Sequence, residues 1–446
     1  MSSPGKQNIT KSLNLILLIY SIFILFIYFI VKMIFSFSKN SKQFESRVPG
    51  KRLEKKLRVI SSEYQDIVVF FCSSAGEYEQ AIPLMDRFEK LMDRKIVIFF
   101  FSQSGVDYAV AKKEKRFYFK SPIDLYWQWE KIFSVLKPSI VVVVRYELWP
   151  SFLAIANCYS MLILIDAVEF KVPRCKLQWI IKKKFLSFFD LLFVVNERTK
   201  EIYRQQYMLS QPCCVVGDTK YDRVYERAIS KKREKESLQQ MLELKFGVVR
   251  RFVVGSGWHR DISLSIEAYR MLKKSNQIPD WQLILVPHHT DLEMIRWIEK
   301  ECQKYGKSHV RFTQLLLTDE KKYDDIPILI VDRIGILAEI YGVADLALVG
   351  GALHFRIHNV LEPAVHGIPI CFGPKYDTSI EAKNLVDEGL AYVISGSNDI
   401  YDFWEKNKYL DDCHDKKIQR NTESLVGAAN RIFNFIAIYS RLSSRR

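Results

Sequence analysis

The stretch DIVVFFCSSAGEYEQ, residues 66–80, joins an apolar run to four small residues and then to a carboxylate. The apolar run is typical of a buried strand, and the residues Ser73 to Gly76 allow a tight turn from a strand into a helix. Glu77 then falls in the first turn of that helix. In open parallel sheets, ligands bind beyond the C-terminal ends of the strands, so this turn is a place where chemistry is expected.

The same alternation of a short apolar run and a helical stretch recurs along the whole chain. A charged segment, residues 221–246, separates a first block of runs from a second. The further runs are KIVIFFFSQSG (95–105), PSIVVVVRYE (138–147), MLILIDA (161–167), DLLFVVNE (190–197), RFVVGSG (251–257), WQLILVPHH (281–289), IPILIVD (326–332), ADLALVGG (344–351) and IPICFGP (368–374).

Apolar runs that do not alternate with polar residues are typical of parallel strands covered on both faces. The pattern therefore predicts two doubly wound α/β domains, residues 59–225 and 226–420, which face each other across a cleft. A C-terminal helix is predicted over residues 421–446.

The N-terminal segment predicts a membrane anchor. LNLILLIYSIFILFIYFIV, residues 13–31, contains no charge; as a helix it would be about 28 Å long, which matches the hydrocarbon core of a bilayer. A cleaved signal peptide is the alternative, but the run is long for one and no A-x-A-like site follows it. Basic residues follow the run, so residues 1–58 are interpreted as a single-pass anchor and basic linker, with the domains in the cytoplasm.

The net charge of +15 favours anionic partners. No nucleic-acid reader motif is present, and a membrane segment favours lipid over nucleic acid. The segment CKLQWIIKKKFLSFFDLLF, residues 175–193, fits a helix on a membrane surface, although core packing explains its apolar residues equally well. The eight cysteines show no C-x-x-C pair and no spacing suited to zinc, so reduced thiols are expected. No cofactor is predicted.

Two loops carry residues suited to chemistry. Glu77 could take a proton from a hydroxyl, or it could merely complement the helix dipole, and spacing alone leaves both open. In VGGALHFRIHNVLEPAVHGIPICFGP, residues 349–374, Gly350 and Gly351 allow a close backbone approach to a ligand. Asn359 opens a helix that suits a phosphate, and Glu362 could accept hydrogen bonds from ribose hydroxyls. An ordinary strand–turn–helix is the alternative, and the loop is neither G-x-G-x-x-G nor a P-loop.

Several motifs together resemble the 3-deoxy-D-manno-octulosonic acid (Kdo) transferases, membrane-associated enzymes that move Kdo from CMP-Kdo to the lipid A precursor. They run in the order of that family from about residue 45 to the C-terminus. They are CSSAGEYEQAIPL (72–84), YELWPSFL (146–153), VVNE (194–197), GDTKYDRV (217–224), GSGWH (255–259), LVPHHTD (285–291), GILAEIYGVADLALVGGAL (335–353) and HNVLEPAVHGIPICFGP (358–374).

The resemblance implies a GT-B fold of two Rossmann-like domains, with the acceptor in the first and the nucleotide sugar in the second, and no metal. It implies that Glu77 is the general base, which predicts inversion at the anomeric carbon. It places Ser74, Gly76 and Glu147 on the acceptor side. The donor side would comprise Lys220, His288, His289, Gly350, Gly351, Asn359 and Glu362.

The same resemblance implies a place in lipopolysaccharide core assembly at the bacterial inner membrane, with lipid IV A as acceptor. Two positions depart from the family pattern: Val168 and His288 stand where the family has arginine. Lys220, Arg223 or Arg356 would have to supply the missing cations. The alternatives are another GT-B glycosyltransferase that uses a UDP-sugar on a glycolipid, and a non-catalytic lipid A-binding scaffold.

Overall fold

The computed structural model describes residues 11–35, 51–145, 147–168, 175–274, 281–317, 323, 328–407 and 412–443. The chain divides into two compact units. Unit 1 comprises Met1–Arg223 and Val426–Arg446, and unit 2 comprises Val224–Leu425. Residues 1–10 and most of the predicted basic linker, residues 36–50, lie outside the described residues, as does Tyr146 of the YELWP motif.

Unit 1 is built on a seven-stranded parallel sheet in the order β3-β2-β1-β4-β5-β6-β7. Its strands are β1 (Ile67–Cys72), β2 (Lys95–Phe100), β3 (Phe117–Lys120), β4 (Ile140–Val144), β5 (Met161–Ala167), β6 (Leu191–Val194) and β7 (Cys213–Val215). Its helices are α1 (Lys11–Phe35), α2 (Lys51–Glu63), α3 (Ala75–Met92), α4 (Gln103–Ala111), α5 (Tyr126–Leu136), α6 (Pro150–Tyr159), α7 (Lys176–Leu186) and α8 (Glu197–Glu201), followed by a π-helical turn, Ile202–Gln206. The helix α9 (Thr219–Ser230) contains the boundary between the units.

The two faces of this sheet explain why its strands are continuously apolar. In β1, Val69 and Phe71 pack into one core layer, and Val68 and Phe70 pack into the layer on the other face. Since successive side chains of a strand point to opposite faces, burial of both faces requires an apolar residue at every position.

Unit 2 has a second seven-stranded parallel sheet, in the order β10-β11-β9-β8-β12-β13-β14, in which β11 lies between the third and second strands of the unit. Its strands are β8 (Arg250–Gly257), β9 (Trp281–Pro287), β10 (His309–Arg311), β11 (Ile328–Ile330), β12 (Leu346–Val349), β13 (Ile370–Phe372) and β14 (Ala391–Val393). Its helices are α10 (Lys232–Phe246), α11 (His259–Lys274), α12 (Leu292–Lys304), α13 (Phe312–Leu315), α14 (Leu337–Gly342), α15 (Leu361–Ala364), α16 (Ile380–Asp387), α17 (Ser397–Lys406) and α18 (Asp412–Leu425).

The last helix, α19 (Ala428–Ser443), returns to unit 1. The helix predicted from residue 421 begins at Ala428, because Gly427, with φ 102°, separates it from α18. The Asp222 carboxylate accepts hydrogen bonds from the N–H groups of Gly427 and Ala429, at 3.0 and 3.4 Å. Phe433 then packs against Phe88 of α3, with ring centroids 5.7 Å apart. The C-terminus thereby covers one face of the first sheet.

The N-terminal apolar segment forms the 25-residue helix α1. In the part of the chain that the structure describes, no helix meets the combined length and apolarity that a membrane crossing requires.

Candidate functional site

The site in unit 1 lies where the strand order of the sheet reverses. β1 pairs with β2 on one side and with β4 on the other. The connections that leave these two strands run to opposite faces, so a crevice opens beyond their C-terminal ends. The turn after β1 supplies Glu77, and the loop after β4 supplies Glu147. Two of the residues predicted from separate motifs therefore follow adjacent strands at one edge of the sheet.

The turn into α3 fixes the position of Glu77. Ser74 is the N-cap of α3, and its hydroxyl accepts a 3.4 Å hydrogen bond from the Glu77 N–H. The Glu77 carboxylate turns back and accepts a hydrogen bond from the Ser73 N–H. Gly76 is exposed, and a Cβ at this position would meet only the Ser74 hydroxyl, at 3.8 Å. The carboxylate therefore caps the helix as the dipole interpretation expects, beside an open surface at Gly76.

The surroundings of Glu77 raise its pKa to near neutral pH. Burial raises the pKa of Glu77 to about 7, against the lowering effect of the Ser73 N–H; the negative charge of Glu147 raises it and the guanidinium of Arg145 lowers it. Glu147 itself accepts a hydrogen bond from the indole N–H of Trp149. A carboxylate whose pKa lies near the working pH can take up and release a proton during a reaction.

Arg145 is a functional candidate that the sequence patterns did not single out. It follows β4 in the left-handed region, with φ 62°. Its Nε donates to Gln80 Oε1 at 2.8 Å, and a terminal nitrogen donates to Asp218 Oδ2 at 2.5 Å. The sequence feature that could have identified Arg145 is its position between the apolar run of β4 and Glu147. The positive charge of Arg145 lowers the pKa of Glu77, whereas Val168, at the position where the resemblance implied an arginine, is 5% exposed.

Asp166 ties the end of β5 to the start of α9. It is fully buried, and its carboxylate accepts hydrogen bonds from the Thr219 N–H, at 2.9 Å, and from the Thr219 hydroxyl. Burial, followed by the nearby charge of Asp218, raises the pKa of Asp166 to about 7. Lys220 follows directly, so this predicted donor residue belongs to unit 1, whereas the other donor candidates belong to unit 2.

Unit 2 carries the matching switch point between β8 and β12. Gly350 and Gly351 follow β12, and the loop's own packing requires both glycines. A Cβ on Gly350 would lie 2.4 Å from the Ser256 carbonyl oxygen. Gly351 has φ 94°, and its Cβ would lie 2.3 Å from the Arg356 carbonyl oxygen. Gly350 therefore lets the loop after β12 pack closely on the end of β8, and Gly351 lets that loop fold back on itself, whether or not a ligand approaches them.

Histidines and one tryptophan cluster at the same edge. Trp258, which follows β8, stacks on His288 with ring centroids 4.9 Å apart and donates a 3.1 Å hydrogen bond from its indole N–H to His358 Nε2. His288 stacks on His358, with ring centroids 4.4 Å apart. Asp261 orients the cluster by accepting 2.9 Å hydrogen bonds from the N–H groups of Trp258 and Gly351.

The surroundings of His358 and His288 favour the neutral form of both rings. Burial, with the charge of His288 and then of Arg356, lowers the pKa of His358 to about 4. Partial desolvation and then the charge of the neighbouring His289 lower the pKa of His288, although both side chains are exposed. Among the residues that the structure describes, no group of three or more His, Cys, Asp or Glu side chains is arranged to hold a metal ion.

The remaining donor candidates lie around the short helix α15. Asn359 Oδ1 accepts a 3.2 Å hydrogen bond from the Leu361 N–H, but the helix that follows is only four residues long. The helix predicted to open at Asn359 is therefore a single turn. Glu362 Oε1 lies 3.9 Å from a terminal nitrogen of Arg227 and is half-buried.

Comparisons with known proteins agree with the motifs. The family model for 3-deoxy-D-manno-octulosonic-acid transferase (kdotransferase) matches residues 47–223. The 3-deoxy-D-manno-octulosonic acid transferase of Aquifex aeolicus is 24% identical over 334 residues, covering 74% of this chain and 82% of that protein. The enzyme of the same name from Chlamydophila psittaci is 25% identical over 345 residues, covering 74% of each. A bifunctional glycosyltransferase/methyltransferase of Fusobacterium nucleatum is 26% identical, and the match spans only 50% of its length.

Solved structures share the fold at low identity. UDP-GlcNAc 2-epimerase from Neisseria meningitidis, bound to UDP-GlcNAc, matches with a TM-score of 0.55 and 12% identity, over 85% of this chain and 100% of that one. A glycosyltransferase from Rickettsia africae matches with a TM-score of 0.53 and 12% identity, over 85% and 99%. These likenesses confirm the predicted α/β, GT-B-like fold. The chain is therefore similar to the 3-deoxy-D-manno-octulosonic acid transferases along most of its length, and this similarity supports a glycosyltransferase.

Proposed function

We propose that this protein transfers Kdo from CMP-Kdo to the lipid A precursor lipid IV A, in lipopolysaccharide core biosynthesis. One observation carries the proposal. A carboxylate, Glu77, lies at the switch point of the first sheet, and burial raises its pKa to about 7. A base with such a pKa is ionised to a useful extent at neutral pH and still accepts a proton readily.

The reaction would proceed by direct displacement. The Glu77 carboxylate takes the proton from an acceptor sugar hydroxyl as the oxygen attacks the anomeric carbon of Kdo. The bond between that carbon and the phosphate oxygen breaks at the same time, and CMP leaves with the bonding electron pair. A single displacement without a covalent intermediate inverts the anomeric configuration. The charge of Glu147 raises the pKa of the Glu77 base, and the charge of Arg145 lowers it.

The donor would lie at the switch point of unit 2. The leaving phosphate gains negative charge, which backbone N–H groups and basic side chains would stabilise. His288, His289 and the Gly350–Gly351 loop lie at this edge, and Asn359 and Glu362 follow on the same loop. Their position at a switch point supports a nucleotide site.

We place the enzyme at the cytoplasmic face of the bacterial inner membrane, where its acceptor would reside. The helix α7 supports this location. Leu186 is the buried residue of α7, while Leu177, Ile180 and Ile181 are 63%, 47% and 44% exposed. The same helix carries Lys182 to Lys184, which suits an anionic lipid surface.

The second candidate is a glycosyltransferase that uses a UDP-sugar, because fold neighbours include an enzyme solved with UDP-GlcNAc. Thermal unfolding with added CMP or UDP separates the two, since a ligand that binds the native state stabilises it by mass action. CMP protection supports the Kdo donor; UDP protection alone supports the alternative.

The decisive assay supplies lipid IV A and CMP-Kdo, generated in situ, to the full-length protein in detergent. The wild type and a Glu63→Gln control, which alters an exposed carboxylate at the end of α2, should release CMP and form a heavier glycolipid. Glu77→Gln should form little product. If the wild type binds lipid IV A without turnover, a non-catalytic scaffold is the better explanation.

A further inference from the structure

The helix α1 lies lengthwise against unit 1. Leu17 and Ser21 are 2% and 0% exposed. The half-buried positions between residues 15 and 30 follow the same side at helical spacing; they are Tyr20, Ile24, Leu25 and Tyr28. Residues at intervals of three and four share one face of a helix, so a single stripe about three turns long contacts the domain. Its neighbours are α5 and α6.

Polar contacts hold the middle of this stripe. The Ser21 hydroxyl accepts a 2.9 Å hydrogen bond from the Tyr126 N–H, at the start of α5, and lies 3.5 Å from the Ser151 hydroxyl, at the start of α6. The neighbouring Tyr20 hydroxyl bonds to the buried carboxylate of Asp124. The Asp124 carboxylate also accepts a 3.0 Å hydrogen bond from the Ser151 N–H. Buried hydrogen bonds of this kind are costly to leave unmade.

This docking conflicts with a simple crossing of the bilayer. Ser21 is near the middle of the apolar run 13–31. In a helix that crosses a hydrocarbon core of about 30 Å, the middle residue lies about 15 Å from either interface. The first turns of α5 and α6, which bond to Ser21, would then sit at the centre of the bilayer. The crossing predicted from the sequence would require these hydrogen bonds to break.

The opposite face of α1 is apolar and uncovered. Its exposed side chains, each at least 38% exposed, are Leu15, Ile16, Leu18, Ile19, Ile22, Phe23, Phe26, Ile27, Phe29, Ile30 and Met33. Basic residues accompany exposed apolar ones on α7, which contacts α6 and thus flanks the same helix as α1. An apolar helix face, together with lysines on a second helix that packs on the same neighbour, fits the interface of an anionic bilayer, where apolar side chains enter the acyl region and cations remain at the headgroups.

We propose that α1 lies in the plane of the membrane interface and does not cross the bilayer. Hydrogen bonds of Ser21 and Tyr20 hold the domain against it. Its exposed face occupies the outer part of one leaflet. Both ends of the chain are then on the cytoplasmic side. The choice of lipid as occupant rests on the proposed function, in which the acceptor is a glycolipid.

Accessibility of the N-terminus tests this topology in the full-length protein, expressed in a Gram-negative host. Ser3→Cys and Glu63→Cys variants are treated with a membrane-impermeant maleimide, in intact cells made permeable only at the outer membrane and in inverted inner-membrane vesicles. The modified peptide is identified by mass spectrometry. Both sites should react only in inverted vesicles. Modification of Ser3→Cys from outside would show that α1 crosses the membrane and would overturn the proposal.

Vesicle flotation tests whether a lipid surface covers the exposed apolar face of α1. The wild type should float with vesicles of phosphatidylcholine and phosphatidylglycerol, and Phe23→Glu with Ile19→Glu should reduce the bound fraction at least about tenfold. Leu91→Glu, at a residue that is 66% exposed on α3, is the matched control and should float normally. Circular dichroism verifies that each variant is folded. A wild type that fails to float and forms a dimer that the double variant disrupts would identify a second copy as the occupant and overturn the proposal.

These readouts do not depend on turnover. A protein that shows the expected labelling and flotation but no transferase activity would refute the proposed function alone. An active enzyme with an externally labelled N-terminus would refute the in-plane helix alone.

Discussion

Replacing Glu77 by glutamine should separate catalysis from stability. The acid limb of kcat/KM reports the pKa of the base in the free enzyme. With the Glu77 pKa at about 7, activity should rise through neutral pH and level off above about pH 8. At pH 6 roughly a tenth of the base is ionised, so kcat/KM should be about tenfold below its plateau. Glu77→Gln cannot take the proton and should lose at least about a hundredfold in kcat.

The same substitution should not weaken the fold at alkaline pH. The pKa of Glu77 rises from its ordinary value of 4.5 to about 7 in the native protein, so folding favours the protonated form. Its contribution to stability is therefore largest at low pH, declines between about pH 4.5 and 7, and is unfavourable and constant above. The difference of 2.5 pH units (7 − 4.5) corresponds to at most about 3.4 kcal/mol, and solvent screening of the partly exposed carboxylate reduces it to roughly 1–2 kcal/mol.

Two measurements check this reasoning. Urea unfolding should show Glu77→Gln to be more stable than the wild type at pH 8 by roughly 1–2 kcal/mol, with the difference vanishing near pH 4.5. The exposed control Glu63→Gln should change neither profile. In the pH–rate profile, Glu147→Gln should move the acid limb to lower pH, because the charge of Glu147 raises the pKa of Glu77. An active Glu77→Gln enzyme, or an acid limb unaffected by Glu147→Gln, would refute the assignment of Glu77 as base.

Three further predictions follow from the two sheet edges. Arg145→Met removes a cation that lowers the pKa of Glu77, so the acid limb should move to higher pH; an unmoved limb contradicts the role given to Arg145. His288→Arg should bind CMP more tightly than the wild type at pH 8, measured by calorimetry, because the pKa of His288 is lowered and its ring is neutral there, whereas arginine is charged and the CMP phosphate is dianionic for both proteins. Equal affinities at pH 8 would count against this role. Gly351→Ala should lower the free energy of unfolding in urea by at least about 2 kcal/mol, because φ is 94° and the Cβ would lie 2.3 Å from a carbonyl oxygen. The control Gly389→Ala, with φ 69° and open space around the Cβ, should lower it by about 1 kcal/mol. Equal losses in the two variants would show that loop packing is unimportant.

The parallel sheets could be predicted from the sequence because burial on both faces requires an apolar residue at every position of a strand. A strand buried on both faces must be apolar throughout, and β1 and β4 meet that requirement at each position. The strand-to-helix turn at Glu77 was also predictable, since small residues and an N-capping serine have strong local preferences. Motifs shared with the Kdo transferases then associated Glu77 with chemistry.

Other features depended on contacts between distant residues. The sequence does not place Arg145 against Gln80 and Asp218, because that contact depends on the order of the strands and on a left-handed residue after β4. The helix predicted at Asn359 is a single turn, and Gly350 is required by a contact with Ser256, which lies about a hundred residues earlier in the chain. Local preferences contain no information about such partners.

The sequence alone therefore determined the two sheets, the apolar character of α1 and the turn that presents Glu77. Tertiary structure alone decided which groups surround Glu77, and which face of α1 meets the domain. Hydropathy sums apolar character along a segment without regard to direction, and α1 is apolar on nearly every side. The positions of Tyr126, Ser151 and Asp124 distinguish the stripe through Leu17 and Ser21 from the exposed face, because burial depends on what lies opposite each side chain.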